Sequence, residues 1–211
     1  MKKRINLIGI GTDGNRSLTQ EAREQIRKST VLIGAERMLQ SVESIRKKEA
    51  RCYTSYRPEE IMTTLEQEKG EEISVLYSGD PGFYSGAKQL IKRLEENGWE
   101  IRVLPGISSV ICMAARCQVP WERAALVSLH GTGQNAVYEI CTHEHTFLLL
   151  GGRETAEQFL EKMSWYGLDH LEAAAGRDLS YEEEVFFRGT IRELTPEMLS
   201  GLSVLWVHHP E

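Results

Sequence analysis

Three short segments combine glycine with carboxylate or hydroxyl side chains, and each could hold a small polar ligand. They are Gly9–Gly14 (GIGTDG), Ser78–Tyr84 (SGDPGFY) and Pro105–Ser109 (PGISS). Glycine lets the backbone bend sharply, so that main-chain amides can approach a ligand closely. The second segment adds the carboxylate of Asp80 beside a stiffening proline, and the third adds serine hydroxyls at a predicted helix start. Each segment also fits an ordinary turn or helix cap, so none of them alone identifies an activity.

The segment Gly9–Gly14 matches the GxGxxG pattern of dinucleotide-binding proteins. Glu36 follows the second predicted strand, where a nicotinamide enzyme would hold its ribose. In a dinucleotide fold, however, the third glycine lies within the opening of the helix. Here the best helix cap is Ser17, so Gly14 is still in the loop and a pyrophosphate would lie too far from the helix N-terminus. An NAD(P)-dependent oxidoreductase using Gly9–Gly14 remains an alternative function.

Histidine and cysteine side chains offer further chemistry. His130 follows a predicted strand in the stretch SLHG and could carry a proton, although a structural histidine fits the same place. The spacing of Cys141, His143 and His145 matches none of the usual zinc motifs, so we predict no metal site there. His208 lies near a polar tail, where we expect it to be solvated.

The elements that must position these segments alternate between strand and helix in the first half of the chain. Short apolar runs predict strands over 4–10, 30–34, 73–77 and 100–104. Helices are predicted from capping residues, from Pro58 at a helix start and from Asn97-Gly98 at a helix end. They cover residues 18–29, a stretch that begins at 35, residues 59–69, a stretch that ends at about 97, and residues 108–117. Such alternation indicates a mainly parallel sheet with helices on both faces. The three glycine-rich segments all follow strands, so we expect them to gather on one edge of that sheet.

The second half predicts another α/β unit with a mixed sheet. Pro120-Trp121 is a plausible boundary, which gives domains 1–118 and 119–211. Strands are predicted over 125–129, 145–150, 185–189 and 202–208, and helices over 135–142 and 154–165. We expect hairpin-like pairing near the C-terminus.

Composition and charge limit the class of partner. The 211 residues carry a formal net charge of -6 at pH 7, and the pI is about 5.6, which argues against nucleic acid and anionic membrane as partners. The chain has neither a signal-type leader nor an apolar run of membrane-spanning length. Its four cysteines lack CxxC spacing and are simplest as free thiols. These features predict a cytoplasmic protein.

Five stretches together resemble the tetrapyrrole (corrin/porphyrin) methylase family. In order along the chain they are GIGTDGNRSLTQEA, VLIGAERML, YSGDPGFYSGA, VLPGISSVICMAAR and ALVSLHG. Many family members carry GxGPGD in the first loop, whereas this chain has Thr12-Asp13-Gly14. That variant is similar to the branch that methylates carbon 5 of the corrin ring.

The resemblance implies a fold and a set of ligand contacts. The fold would have two α/β domains, a mainly parallel sheet in the first and a mixed sheet in the second, with the active site in the cleft between them. S-adenosylmethionine would be the cofactor and S-adenosylhomocysteine its product. The implied cofactor contacts are Gly79, Asp80, Pro81, Gly82, Phe83, Ser108, Ser109, Leu129, Leu150, Gly151, Ala175 and Gly176. The macrocycle would contact Gly11, Asp13 and Gly14.

The resemblance also implies an activity. A methyl group would pass to carbon 5 of cobalt-precorrin-6B, giving cobalt-precorrin-7, with Asp13 and His130 as candidate bases. Arginines would bind the carboxylates of the substrate, with Arg37, Arg153 and Arg177 as first candidates. Expected partners are a second copy in a homodimer and a separate carbon-15 methyltransferase/decarboxylase. A non-catalytic tetrapyrrole-binding protein is the other alternative.

Overall fold

The computed structural model of the chain describes residues 3–68, 72–129 and 135–210. Contacts divide the chain into two compact units, Met1–Ser108 and Ser109–Glu211. The sequence-predicted boundary after residue 118 would assign the helix Ser109–Cys117 to the first unit. That helix packs on the last strand of the second unit, so the boundary between the units falls before it, at residue 108.

The first unit has a five-stranded sheet in which every strand is parallel to its neighbours. Its strands are β1 (Arg4–Gly9), β2 (Val31–Gly34), β3 (Arg51–Thr54), β4 (Ile73–Tyr77) and β5 (Glu100–Leu104). Their order across the sheet is β3-β2-β4-β1-β5. The central strands β1, β2 and β4 are almost wholly buried, as continuous apolar runs in a two-sided sheet require.

Four helices cover the two faces of this sheet. They are α1 (Gln20–Lys28), α2 (Glu36–Ser41), α3 (Pro58–Gln67) and α4 (Ala87–Glu96). Apolar side chains of α3 and α4 form one core with alternate residues of β1, β2 and β4. Side chains of α1 and α2 form a second core with the opposite residues of the same strands. The predicted parallel sheet with helices on both faces is confirmed.

The second unit has a mixed five-stranded sheet. Its strands are β6 (Ala125–Ser128), β7 (His145–Leu149), β8 (Glu172–Arg177), β9 (Val185–Thr190) and β10 (Ser203–His208), in the order β6-β7-β10-β8-β9. Only β6 and β7 are parallel. Helices α6 (Ala136–Thr142) and α7 (Arg153–Trp165) and the 3-10 helix Ile191–Glu193 enclose the main core on one face. Helix α5 (Ser109–Cys117) packs on β10.

The structure corrects several sequence predictions of local structure. Helix α1 begins at Gln20 rather than Leu18, because Thr19 and not Ser17 caps it by accepting a hydrogen bond from Ala22 N. Strands β3 and β8 were not predicted. Helix α4 begins at Ala87, so the turn after Gly82 is longer than expected. Across the described residues, no helix has both the length and the apolar character needed to cross a membrane.

Candidate functional site

The three glycine-rich segments meet at the carboxyl edge of the first sheet. Strands β4, β1 and β5 are adjacent and parallel, so the loops that follow them leave the sheet side by side. Gly11 and Gly79 form an isolated antiparallel bridge, with N–O distances of 3.1 Å and 2.8 Å. The predicted gathering of these loops is therefore what the fold produces.

Glycine is required where the loops touch. A Cβ atom added at Gly106 would lie 2.1 Å from the carbonyl oxygen of Gly79 and 2.7 Å from the carbonyl carbon of Gly9. One added at Gly9 would lie 2.6 Å from both Gly106 N and Gly79 O. Gly79 also has a φ of +64°, in the region that favours glycine. Backbone therefore packs directly on backbone at this edge.

Asp80 joins two of these loops through its carboxylate. Oδ1 accepts a hydrogen bond from Gly82 N at 2.7 Å, and Oδ2 accepts one from Gly106 N at 3.0 Å. The first bond closes the turn within the loop after β4, and the second ties that loop to the loop after β5. Each oxygen thus has a backbone partner, which gives Asp80 a clear role in holding the edge in shape.

Asp13 organises the first loop in a similar way. Its Oδ1 accepts hydrogen bonds from the backbone amides of Asn15, Arg16 and Ser17 and from the Ser17 hydroxyl, at 2.9–3.1 Å. Asp13 N in turn donates to Ser17 Oγ at 3.1 Å. This is a loop held by its own carboxylate, and Asp13 is half-buried rather than fully exposed.

The two glycines of this loop are fixed by packing. Gly11 and Gly14 have φ values of +72° and +73°. A Cβ atom added at Gly11 would lie 2.2 Å from Ser17 Oγ, and one added at Gly14 would lie 2.2 Å from Ser41 Oγ. Sequence reasoning missed Ser41, because nothing in the spacing signals that α2 packs against Gly14. Since α1 begins at Gln20, Gly14 does lie in the loop ahead of the helix, as predicted.

A cavity of about 460 Å³ lies beside the loop after β4, within the first unit. Pro81, Gly82 and Phe83 of that loop line it, and these are three of the cofactor contacts that the resemblance implies. Its other lining residues are Tyr84, Ser85, Lys88 and Ile91. Sequence reasoning missed Lys88, although its position one turn after Ser85 at the start of α4 could have suggested it. The volume suits a small-molecule ligand, with aromatic walls and one ammonium group.

The cofactor residues expected in the second unit are mostly core residues. Leu150 and Ala175 are each 2% exposed and belong to the main core, so only their backbone could face a ligand. A Cβ atom added at Gly176 would lie 2.7 Å from Leu179 Cδ2 and 3.1 Å from Met113 Sδ. Gly176 is therefore needed for packing.

The remaining expected contacts differ in their surroundings. Leu129 follows β6 and donates its amide to Leu149 O at 2.9 Å. Gly151 is half-buried after β7. Ser108 is 6% exposed beside Gly79, whereas the half-buried Ser109 begins α5. His130, the second candidate base, lies outside the described residues.

The three candidate arginines are in different positions. Arg37 lies on α2 and its Nη2 donates to Ser78 Oγ at 3.4 Å, so it lies near the loop after β4. Arg153 is paired with Glu157 at 2.9 Å and Glu197 at 2.8 Å. The guanidinium of Arg177 donates to the Glu197 carbonyl at 3.0 Å and lies 3.5 Å from an Asp178 carboxylate oxygen. Within the first unit, the fold brings Arg37 to the glycine-rich edge.

Three enzymes with related sequences act on precorrins. A decarboxylating precorrin-6Y C(5,15)-methyltransferase from Sinorhizobium sp is 34% identical over 127 residues, 60% of this chain and 30% of that enzyme. A cobalt-precorrin-4 C(11)-methyltransferase from Methanocaldococcus jannaschii is 21% identical over 93% of this chain and 82% of its own. A probable cobalt-precorrin-7 C(5)-methyltransferase from the same organism is 26% identical over 74% of this chain and 75% of its own. The chain thus spans under a third of the Sinorhizobium enzyme.

The fold is shared with solved structures as well. A uroporphyrin-III C-methyl transferase from Thermus thermophilus, solved with S-adenyl homocysteine, superposes with a TM-score of 0.76 at 15% identity and covers 97% of each chain. The family model for tetrapyrrole (corrin/porphyrin) methylases matches residues 4–195, which include all of the glycine-rich loops. The chain therefore belongs to the tetrapyrrole (corrin/porphyrin) methylase family.

Proposed function

We propose that this protein is an S-adenosylmethionine-dependent C-methyltransferase that methylates carbon 5 of cobalt-precorrin-6B to give cobalt-precorrin-7. The main support for the proposal is the carboxyl edge of the first sheet, where the backbones of Gly9, Gly79 and Gly106 are in contact, in a chain that belongs to this family. Two relatives named for carbon-5 chemistry support the position on the ring. A relative named for carbon 11 makes that position the point to test.

The residues near the loop after β4 fit the proposed cofactor. The cavity beside it combines the rings of Phe83 and Tyr84 with the ammonium group of Lys88, which suits a ligand with apolar and charged parts. The Thermus thermophilus relative solved with S-adenyl homocysteine supports the choice of cofactor. When bound, S-adenosylmethionine supplies a methyl group that is already activated on a sulfonium sulfur.

The protein's share of the reaction is mainly alignment. Direct transfer to a nucleophilic ring carbon needs no covalent enzyme intermediate, but it needs the reacting atoms about 3–3.5 Å apart. Asp80 fixes the loops after β4 and β5 relative to each other, and Asp13 fixes the loop after β1. Asp80 is a positioning residue in this proposal. Asp13 holds its loop through Oδ1, and Asp13 and His130 are the two candidate bases. Arg37 is the candidate partner for a substrate carboxylate.

The wider setting is part of the same proposal. We propose a homodimer that works in the cytoplasm. The proposed partner is a separate protein for methylation at carbon 15 and for decarboxylation, the further steps for which the Sinorhizobium relative is named.

The test is incubation with methyl-labelled S-adenosylmethionine and a panel of precorrins with and without cobalt, followed by mass spectrometry and NMR of the product. One label at carbon 5 is the expected result. Label at carbon 11 would replace the proposed position and keep the reaction class. Ligand binding without turnover would support a non-catalytic binder, and affinity for NADH alone would support an oxidoreductase.

A pair of glycine variants links the activity to the edge. Gly106→Ala is expected to abolish transfer, because the new Cβ has no room beside Gly79 O. Gly86→Ala is the matched control, since its nearest atom would be Tyr56 O at 3.9 Å and its φ is -67°. Circular dichroism checks that both variants are folded. Equal activity of the two would remove the edge from the proposal.

A further inference from the structure

A row of polar side chains crosses three strands of the second sheet, on the face opposite its main core. His145 of β7 is directly opposite His208 of β10, and His208 is directly opposite Glu172 of β8. Directly opposed residues project from the same face with their Cβ atoms about 4.5–5.5 Å apart. The sheet register, not sequence proximity, therefore brings these two histidines together.

Glu144 completes the cluster from the residue before β7. Its Oε1 lies 3.8 Å from Nε2 of His145 and 3.8 Å from Nε2 of His208. One ligand atom from each of the three side chains lies within 4.8 Å of the others. In a tetrahedral zinc site with bonds of about 2.1 Å, ligand atoms are about 3.4 Å apart. Closing the cluster around an ion shortens each of the two distances to Glu144 by about 0.4 Å, and the distance between the histidine ligand atoms, at most 4.8 Å, by up to about 1.4 Å. The side chain of Glu144 is 56% exposed and can move toward the ion.

The two histidines differ in the hydrogen-bond partners of their ring nitrogens. His208 Nδ1 lies 3.4 Å from Glu172 Oε2, and Glu172 is itself held by Arg188 at 2.7 Å. A carboxylate on the far nitrogen is the usual second shell of a metal-bound histidine, because it fixes the ring and leaves Nε2 for the metal. The Trp206 ring stacks on His208 with an interplanar angle of 7° and limits its rotation.

His145 differs from His208 in that no carboxylate holds its second ring nitrogen among the described residues. Its Nδ1 is buried without a hydrogen-bond partner among the described residues, and its Nε2 is beyond hydrogen-bond distance of Glu144. Nε2 is therefore the nitrogen that His145 can offer to an ion beside Glu144. The sequence prediction concerned the spacing of Cys141, His143 and His145, and that spacing carried no signal that His145 lies opposite His208. His143 instead lies beside Glu139, and His208 is half-buried on β10 rather than solvated.

We propose that Glu144, His145 and His208 bind one borderline divalent transition-metal ion, such as Zn²⁺, through two imidazole nitrogens and one carboxylate. Imidazole favours ions of this class over Mg²⁺ or Ca²⁺. The remaining coordination positions are open to water from the side of Glu144. The ion would join β7 to β10 and so stabilise the second unit, independently of the proposed methyl transfer.

The test is calorimetric titration of the metal-free protein with Zn²⁺, with Mg²⁺ as the comparison ion. One equivalent of Zn²⁺ is expected to bind, and thermal stability is expected to rise with it. His145→Asn and His208→Asn are expected to lower the affinity by more than the roughly 10- to 100-fold that loss of a second-shell partner causes. Glu172→Gln is expected to fall within that second-shell range.

His143→Asn is the matched control, because it removes a nearby histidine that is outside the cluster, and Zn²⁺ affinity should not change. Co²⁺ provides a second readout, since its visible spectrum reports ligand number even where a variant is less stable. No Zn²⁺ binding by the wild type would overturn the proposal. So would binding that His145→Asn and His208→Asn leave unchanged, which would place the metal elsewhere.

Discussion

Asp80 carries two structural bonds at once, and this determines what its substitution should do. Asn in place of Asp80 retains one acceptor oxygen, so the amide of Gly82 or of Gly106 loses its partner. The bond to Gly82 N is exposed and the bond to Gly106 N is half-buried, so losing either is expected to cost about 0.5–1.5 kcal/mol. Because the loop loosens for any ligand, Asp80→Asn is expected to weaken S-adenosylmethionine and S-adenosylhomocysteine by equal factors.

Calorimetry of both ligands with wild type and Asp80→Asn measures this difference. A direct role of the carboxylate near the sulfonium would show itself as a larger loss for the cationic S-adenosylmethionine than for the neutral product. Such a preferential loss would contradict the interpretation that Asp80 acts only by holding the loops after β4 and β5 together.

The cysteines should differ sharply in reactivity. Burial raises the pKa of the Cys117 thiol to about 11, and the side chain is 2% exposed. The thiolate is the reactive form, so Cys117 should stay unmodified in the folded protein at pH 8. Cys52 and Cys141 are exposed and should react with iodoacetamide first. Peptide mass spectrometry after timed labelling locates the modified thiols, and early labelling of Cys117 would show that α5 opens readily.

At the scale of elements, one ion pair ties α5 to the segment before β9. Arg116 Nε and Nη2 donate to the two carboxylate oxygens of Glu184 at 2.8 Å and 3.0 Å. The hydrogen bond from Arg116 lowers the pKa of Glu184 below its ordinary value, and the bond from Ser180 N adds to this. Glu184→Gln is expected to reduce the free energy of unfolding at pH 7 by up to about 1 kcal/mol, since half of Arg116 is exposed.

The sign of the pH dependence follows from that lowered pKa. A carboxyl group with a lower pKa in the folded state stabilises the fold fully above its unfolded-state pKa, and this contribution disappears as the pH falls through the folded-state value. Urea unfolding of wild type and Glu184→Gln should therefore converge in acid. Glu183→Gln, next to it and exposed, should match the wild type throughout. A gap that persists in acid would assign the effect to packing instead.

The loop after β1 is held by Asp13, so its removal should affect the loop as a unit. Asp13→Ala is expected to slow methyl transfer at least tenfold, leave S-adenosylhomocysteine affinity within about twofold and cost about 1–2 kcal/mol of stability. The stability cost arises because three backbone amides lose their acceptor. Single-turnover rates, calorimetry and urea unfolding measure the three quantities. Asn15→Ala, in the same loop but exposed, is the control, and an equal fall in cofactor affinity would contradict the assignment of this loop to the macrocycle.

Sequence patterns predicted strands well where glycine or proline marks the end of the run, whether the strand is buried, as β4 is, or mostly exposed, as β5 is. Strands β4 and β5 have the predicted bounds, because apolar runs ended by glycine or proline leave few alternatives. Strand β3 (RCYT) was missed because it is short and polar at the edge of the sheet. Strand β8 (EAAAGR) was missed because alanine has no strand preference of its own. Its small side chains become informative only once α5 and the core pack against it.

The sequence predicted that the glycine-rich loops gather at one edge, but it did not predict the contacts between them. The rule that loops follow the carboxyl ends of parallel strands brought the three glycine-rich segments together correctly. Nothing in the spacing indicated that the Asp80 carboxylate reaches Gly106, because that contact depends on the β4-β1-β5 strand order. The pairing of His145 with His208 was hidden for the same reason.

For the whole molecule, ligand binding should appear as thermal stabilisation. A ligand at 100 times its Kd stabilises the folded state by about 2.7 kcal/mol. In a chain of this length, each kcal/mol raises Tm by roughly 2–4 °C. At 100 times its Kd, S-adenosylhomocysteine is therefore expected to raise Tm by about 5–10 °C. NADH is expected to leave Tm unchanged. Differential scanning fluorimetry checks both ligands, and the opposite preference would favour the oxidoreductase alternative.

The backbone contact among Gly9, Gly79 and Gly106 has a consequence for anyone who wishes to redesign this protein. Two of the three positions have no room for even a methyl group, and the third has a backbone angle that disfavours one. New specificity must therefore come from side chains that stand around this point, such as Arg37 and Lys88. A library that keeps the three glycines constant and varies their surroundings would explore new substrates without dismantling the scaffold that presents them.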